Sequence, residues 1–301
     1  MRLELPAYGK INFTLEVYGR RADGFHEIST VLQGISLADR VEVELGGDGT
    51  RLAVSGSGVP SGPGNLAWRA VEALRERTGF RGGVQVHLVK NIPVASGLGG
   101  GSSDAAAVLV GLNALAGVGL TPGGLLEIAA GLGSDVPFAV MAATALAGGR
   151  GEELVWLPPP PPMWLVLAMP ALQIPAATAY RLWDETGKVT CGASARVARG
   201  LRNGRKEGVL ANLRNSLEGP VMQAYPQVGE LKSRMEGLGL VALMSGSGPC
   251  VYGVAPGREE ARRAAEALRP WYPWVDMACT LGGQAAVPLP APAASGRKPC
   301  Q

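Results

Sequence analysis

Ile11, Phe13, Leu15 and Val17 alternate with Asn12, Thr14 and Glu16, and this period of two predicts a strand buried on one face. A polar turn over 20–24 follows. Residues 31–35 and 40–45 read as further strands ahead of a Gly46-Gly47-Asp48-Gly49 turn. The period then changes. Leu66, Ala70, Ala73 and Leu74 share one face of a helix expected over 65–77, and Gly79 stands where it should end. Val84, Val86 and Leu88 return to alternation and predict another strand. Beyond a glycine-rich loop over 93–101, residues 102–115 form an Ala/Leu/Val run suited to a buried helix, with shorter apolar helices over 125–132 and 136–142. The second half repeats the mixture, with strands over 164–169, 241–244 and 251–255 and helices over 227–238 and 258–268. The expected fold class is α+β.

At about 100–200 residues per domain, a chain of 301 residues predicts two domains. The five prolines at 158–162 fit neither a helix nor a central strand, so they mark the link between a first unit at 1–157 and a second at 158–284. Residues 285–301 are Ala/Pro-rich and read as a tail without packed structure. Hydrophobic residues make up 47% of the chain, which excludes global disorder. The net charge of +3 is small and its densest basic stretch, 196–206, reads as a solvated face, so a nucleic-acid partner is not expected. Cys191, Cys250, Cys279 and Cys300 are scattered, with neither zinc nor redox spacing, as suits a reducing cytoplasm. No apolar run approaches the ~18 residues of a membrane span, and the charged N-terminus does not read as a signal peptide.

The segment with the clearest chemistry is Pro93-Val94-Ala95-Ser96-Gly97-Leu98-Gly99-Gly100-Gly101-Ser102-Ser103-Asp104, between an expected strand and an expected helix. Gly97, Gly99, Gly100 and Gly101 can present bare amides in a tight curve. Ser102 or Ser103 can cap the helix, whose N-terminus adds roughly half a positive charge. Together these describe a phosphate site. A glycine turn with a serine cap would need only one residue of each kind. The P-loop pattern is absent, and Ser102 interrupts the dinucleotide pattern.

This loop resembles the central motif of the GHMP kinases, Pro-x-x-x-Gly-Leu-Gly-x-x-Ser-Ser, and its Gly99–Ala106 portion is similar to the diphosphocytidyl-methylerythritol kinase branch. Gly9-Lys10-Ile11-Asn12 with Arg20-Arg21-Ala22-Asp23-Gly24-Phe25-His26 resembles the first motif of that branch. Asn215-Ser216-Leu217-Glu218 and Met244-Ser245-Gly246-Ser247-Gly248 resemble later ones. Gly9, Phe25 and Pro249 depart from the usual residues at their positions.

The resemblance implies an N-terminal domain like domain 2 of ribosomal protein S5, a ferredoxin-like C-terminal domain, and a cleft between them. It implies transfer of the γ-phosphoryl group of ATP, carried with Mg2+, to the 2-hydroxyl of a cytidine diphosphate ester of methylerythritol. The partner is therefore a small molecule, and the chain a monomer or homodimer. Asp135 would be the base and Lys10 its partner, an ammonium within ~4–6 Å favouring a carboxylate. Asp135 also suits a helix N-cap ahead of Pro137. Asn12 would touch substrate or position Lys10. His26 would read the cytosine edge, with Phe25 and Tyr180 against the base. Pro93, Gly97, Leu98, Gly99, Gly100, Gly101, Ser102 and Ser103 would surround ATP. Asn65 reads chiefly as a helix cap, His87 as a strand residue, and Asp104 as a helix N-terminal carboxylate; no metal ligands are assigned. Another GHMP kinase, of the homoserine or mevalonate type, is the nearest alternative, and a non-catalytic nucleotide- or RNA-binding module a more distant one.

Overall fold

The computed structural model describes residues 1–56 and 58–282. The expected tail and Cys300 lie outside the described residues. The chain opens with two long strands, β1 (Arg2–Arg20) and β2 (His26–Leu45), followed by β3 (Thr50–Ser55), α1 (Leu66–Thr78) and β4 (Val84–Val89). Three helices come next, α2 (Gly100–Ala116), α3 (Pro122–Leu132) and α4 (Val136–Met141), then β5 (Thr144–Gly148) and β6 (Glu153–Trp156). The proline run separates β6 from β7 (Trp164–Met169). Helices α5 (Ala176–Thr186), α6 (Ala193–Arg202) and α7 (Lys206–Leu210) follow, then β8 (Arg214–Asn215), α8 (Glu218–Ala224) and α9 (Pro226–Gly237). The described chain closes with β9 (Val241–Met244), β10 (Val251–Ala255), α10 (Arg258–Leu268) and β11 (Trp274–Cys279).

The first sheet has seven strands, with the path β3-β4-β2-β1-β8 and β5 and β6 branching from β2. The β1–β2 hairpin closes through a turn that its own residues build. Asp23 accepts from the Phe25 amide at 3.1 Å, Arg21 N bonds Phe25 O at 2.7 Å, and Gly24 takes φ 86°. Helices α1–α4 cover one face of this sheet around a core that includes Val41, Val43, Leu74, Leu88, Leu109 and Leu112. The second sheet is wholly antiparallel in the order β11-β7-β10-β9. Numbered within that sheet, this is the 4-1-3-2 order of a β-α-β-β-α-β unit, the ferredoxin-like arrangement.

The expectation that β1 is buried on one face only is corrected. Residues 9–17 are buried on both faces. Ile11 and Phe13 pack with Leu165, Leu167 and Tyr252 of the second sheet, while Leu15 and Val17 join Val166, Trp183 and Val221. The polar positions are buried too, and each has partners. Thr14 meets Ser194 at 2.8 Å, and both oxygens of Glu16 accept amides at the start of α6, from Ala193 and Ser194, at 2.9 Å. Strand β1 is thus the seam on which helices of the second half are seated. The two strands expected over 31–35 and 40–45 are one continuous strand, β2. Arg196, Arg199, Arg202 and Arg205 are exposed, while Val197 and Leu201 on the same segment are buried.

Candidate active site

A cavity of about 630 Å³ opens between β1, the glycine-rich loop, the turn ahead of α4, helix α5 and the loop after β9. Lys10, Asn12, Gly97, Gly99, Ser102 and Asp135 line one part of it, and Phe25, His26, Tyr180 and Asp184 another.

At the first part, Lys10 is only 6% exposed. Its ammonium bonds Asn12 Oδ1 at 2.8 Å and lies 3.6 Å from Asp135 Oδ2. Residues 10 and 135 are far apart in sequence, and the packing of α4 beside β1 brings them together. The Lys10 amide bonds Leu98 O at 2.9 Å, and its aliphatic stem passes 3.1 Å from where a Cβ on Gly99 would stand. Asn12 is itself held, donating to Thr30 Oγ1 at 2.8 Å, while Tyr252 donates to Asn12 O at 3.0 Å. Asp135 precedes α4, where Pro137 tolerates the missing amide. Its side chain makes no capping bond, so the carboxylate is turned to Lys10 and the cavity rather than spent on the helix.

The loop ahead of α2 has an open inner curve. Gly99, at φ 76°, occupies the N-cap position, so the expected serine cap is not formed. The first helical bond runs from Ser103 N to Gly99 O at 3.0 Å. The amides of Gly100, Gly101 and Ser102 therefore precede any carbonyl partner in their own helix. Ser103 donates its hydroxyl to Tyr8 O at 2.6 Å, which leaves Ser102 as the serine facing the cavity. Leu98 is a core side chain, and Gly100 packs its Cα side against Ile92 and Asp39. Pro93 stands before the curve and does not line the cavity.

This loop is locked to the one after β9. Ser245 Oγ donates to Gly97 O at 3.1 Å, and Cys250 N bonds Ser96 O at 3.2 Å. Gly97 has φ 80°, and a Cβ there would stand 2.1 Å from Ser245 O, so only glycine fits. Asn215 sets the second loop by donating to Met244 O and Gly246 O, both at 2.8 Å. The Asn-Ser-Leu-Glu segment thus builds a support rather than a contact surface.

At the other part, the β1–β2 turn carries Phe25, half exposed, with the Arg150 guanidinium 4.7 Å from its ring centre. His26 is stacked on Tyr180 at 4.8 Å and lies edge-on to Trp183 at 5.9 Å. Its Nε2 is 2.7 Å from Asp184 Oδ1. Burial pushes the Tyr180 phenol up, and Asp135 adds to the shift. Arg20, Arg150 and Arg181 also line the cavity, with Arg150 paired to Glu152 at 3.1 Å and Arg181 to Glu185 at 2.7 Å. The arginines at this wall can meet an anionic, phosphate-bearing ligand.

Sequence reasoning missed Thr30, Arg20, Arg150, Arg181 and Asp184. Asp184 had a usable signal, since it stands four residues after Tyr180 and so on the same helical face. Arg150 had none, being a lone arginine in a turn. Asn65 caps α1, accepting from Ala67 N at 2.8 Å, and His87 bonds Ser55 at the sheet surface. Asp104 lies a full turn inside α2 rather than opening it. There Lys90 bonds both Asp104, at 2.5 Å, and Asp39.

The GHMP kinase N-terminal domain model matches residues 65–143 and the C-terminal model residues 197–273. A 4-diphosphocytidyl-2-C-methyl-D-erythritol kinase from Moorella thermoacetica is 50% identical over 283 residues, 93% of this chain and 99% of that protein. This chain belongs to the GHMP kinases. Within them it belongs with the 4-diphosphocytidyl-2-C-methyl-D-erythritol kinases. A crystal structure of a 4-(cytidine 5'-diphospho)-2C-methyl-D-erythritol kinase superposes with a TM-score of 0.79 at 40% identity, covering 93% of this GHMP kinase and 100% of that chain. Homoserine kinase from Cytophaga hutchinsonii shares the fold at a TM-score of 0.68 but only 17% identity, covering 91% and 95%.

Proposed function

We propose that this protein is an ATP-dependent kinase that phosphorylates the 2-hydroxyl of 4-diphosphocytidyl-2-C-methyl-D-erythritol, in the non-mevalonate route to isoprenoid precursors. The observation that carries this reading is the Lys10–Asp135 pair, 3.6 Å apart, at the inner curve of the glycine loop and in the same cavity as His26.

In this reading the amides of Gly100, Gly101 and Ser102, at the positive end of α2, receive the triphosphate. The curve can form because Gly97 and Gly99 adopt left-handed backbone, at φ 80° and 76°, and let Ser245 and the Lys10 stem approach closely. Asp135 accepts the proton of the 2-hydroxyl as its oxygen bonds the γ-phosphorus. The bond from that phosphorus to the bridging oxygen breaks, and ADP leaves. Lys10 orients Asp135 and faces the charge that builds on the transferred group. Asn12 fixes Lys10. Among the described residues no group of three or more His, Cys, Asp or Glu is placed to hold a metal. Magnesium bound mainly through phosphates and water needs few protein oxygens, so the site is compatible with it. When bound on ATP, magnesium supplies neutralising charge to the phosphates.

Across the cavity, His26, Phe25 and Tyr180 take the cytosine, and Arg150 is placed for the diphosphate. Among the described residues no helix is long and apolar enough to cross a membrane, and Cys191, Cys250 and Cys279 are free thiols. A cytoplasmic setting is consistent with both. Incubation with ATP and the acceptor, read by phosphorus NMR, tests the reaction. A new phosphomonoester coupled to C2 of the erythritol is expected. Phosphate on another hydroxyl, or inorganic phosphate alone, would contradict it.

A further inference from the structure

Polar clusters outside the phosphoryl-transfer chemistry include the Asp39–Lys90–Asp104 group behind α2, the Asn215 support, and the His26–Asp184 contact. The third reaches furthest toward function. We infer that Asp184 is a positioning residue that sets which nitrogen of His26 carries the proton, and so makes the site select cytosine over uracil. This inference rests on the reading of the His26 region as the base-binding part of the cavity.

The geometry is specific. Asp184 Oδ1 lies 2.7 Å from His26 Nε2, and both residues line the cavity. A carboxylate can only accept, so the shared proton resides on Nε2. Nδ1 takes part in no hydrogen bond among the described residues and, in the neutral ring, is a bare acceptor. Tyr180, stacked at 4.8 Å, and Trp183, edge-on at 5.9 Å, keep the ring from turning over to exchange its nitrogens.

A bare Nδ1 accepts from the exocyclic N4 amine of cytosine. Uracil offers a carbonyl oxygen at the same position, which sets two acceptors against each other in a partly desolvated site. Rejection by an unmatched polar group is far stronger than rejection by shape alone. If the proton were free to move to Nδ1, the ring would present a donor instead, and uracil would be accommodated. Asp184 acts through His26 and needs no contact with the substrate.

The test compares the cytidine and uridine diphosphate esters of methylerythritol as acceptors for the wild type, Asp184→Ala and His26→Ala. Nitrogen-15 spectra of the histidine rings accompany it. The chain has only two histidines, so His87→Gln assigns the spectrum. The wild type is expected to show protonated Nε2 and bare Nδ1 near pH 8. In Asp184→Ala the two nitrogens should average, and the cytidine-to-uridine ratio of kcat/KM should fall roughly 10- to 100-fold, the weight of one charge-assisted hydrogen bond. Loss of stability alone would lower both substrates equally and leave the ratio intact. An unchanged ratio in Asp184→Ala, or a proton on Nδ1 in the wild type, would overturn the inference while leaving base reading by His26 standing. An unchanged ratio in His26→Ala would remove the base-reading assignment itself.

Discussion

A buried ammonium is tolerated only with partners, and those of Lys10 define what it does. Its position between Asn12 and Asp135 makes the three a unit, and their effects on rate should not add. Asp135→Asn is expected to lower kcat by about 10²–10⁴, the usual worth of a positioned base, in a protein that still folds. Lys10→Ala should lose a similar factor in single-turnover rate. A rate within a few-fold of wild type in either variant contradicts the assigned roles. The identities of these residues were legible in sequence only through the motifs around them, because nothing in spacing links positions 10 and 135. Asp104 makes a separate prediction. Its carboxyl is pushed up to about 7, chiefly by burial, with Asp39 adding and Lys90 opposing. The folded state therefore holds this proton more tightly than the unfolded chain. The stability that the group contributes is full below about pH 4 and is lost as pH rises through about 7. Asp104→Asn should melt at or above the wild-type temperature at pH 8, with the difference shrinking toward pH 4. A variant several degrees less stable at pH 8 would show that the charged triad is favourable as it stands.

At the scale of elements, two loops and one strand determine the site. The glycine loop and the loop after β9 interlock through Gly97 and Ser245, so each fixes the other. Gly97→Ala would place a Cβ 2.1 Å from Ser245 O at a φ of 80°. It should raise the KM for ATP at least about tenfold and loosen both loops, as backbone strain of about 1–3 kcal/mol implies. A normal KM would mean that the loop adapts without cost. Strand β1 is anchored by Glu16 to the start of α6. Glu16→Gln keeps the shape but turns an NH2 toward an amide donor, and a loss of about 1–3 kcal/mol in urea unfolding is expected. The pattern of apolar positions located most central elements to within a few residues, including α1, β4, α2, β7, β10 and α10. It misjudged β1, because alternation reports the two faces of a strand but not that a second domain will cover the polar one. It missed β3, β5, β6 and β11, whose short or mixed sequences gain their strand geometry from neighbours.

For the whole molecule, the two sheets share a core rather than merely adjoining. Ile11, Phe13, Val31 and Ile35 belong to one buried cluster with Leu165, Leu167 and Tyr252. The cavity is therefore built on that shared core, with the Tyr180–Asp184 side carried by α5 and the glycine-loop side by α2. That division explains why family motifs spread along the sequence converge in space. It also explains why Arg150 and Asp184, outside every motif, are still part of the wall. Homoserine kinase shares the fold at only 17% identity, so the scaffold alone does not set the substrate, and the proposed function puts that choice in the wall around His26. The most direct test is acceptor-dependent ADP release from ATP by the wild type and Asp135→Asn, with the cytidine diphosphate ester, homoserine and mevalonate each offered in turn. Release with the cytidine ester alone, reduced at least about hundredfold in Asp135→Asn, is the predicted result. Release that is independent of acceptor, or faster with homoserine or mevalonate, or undiminished in Asp135→Asn, would contradict it.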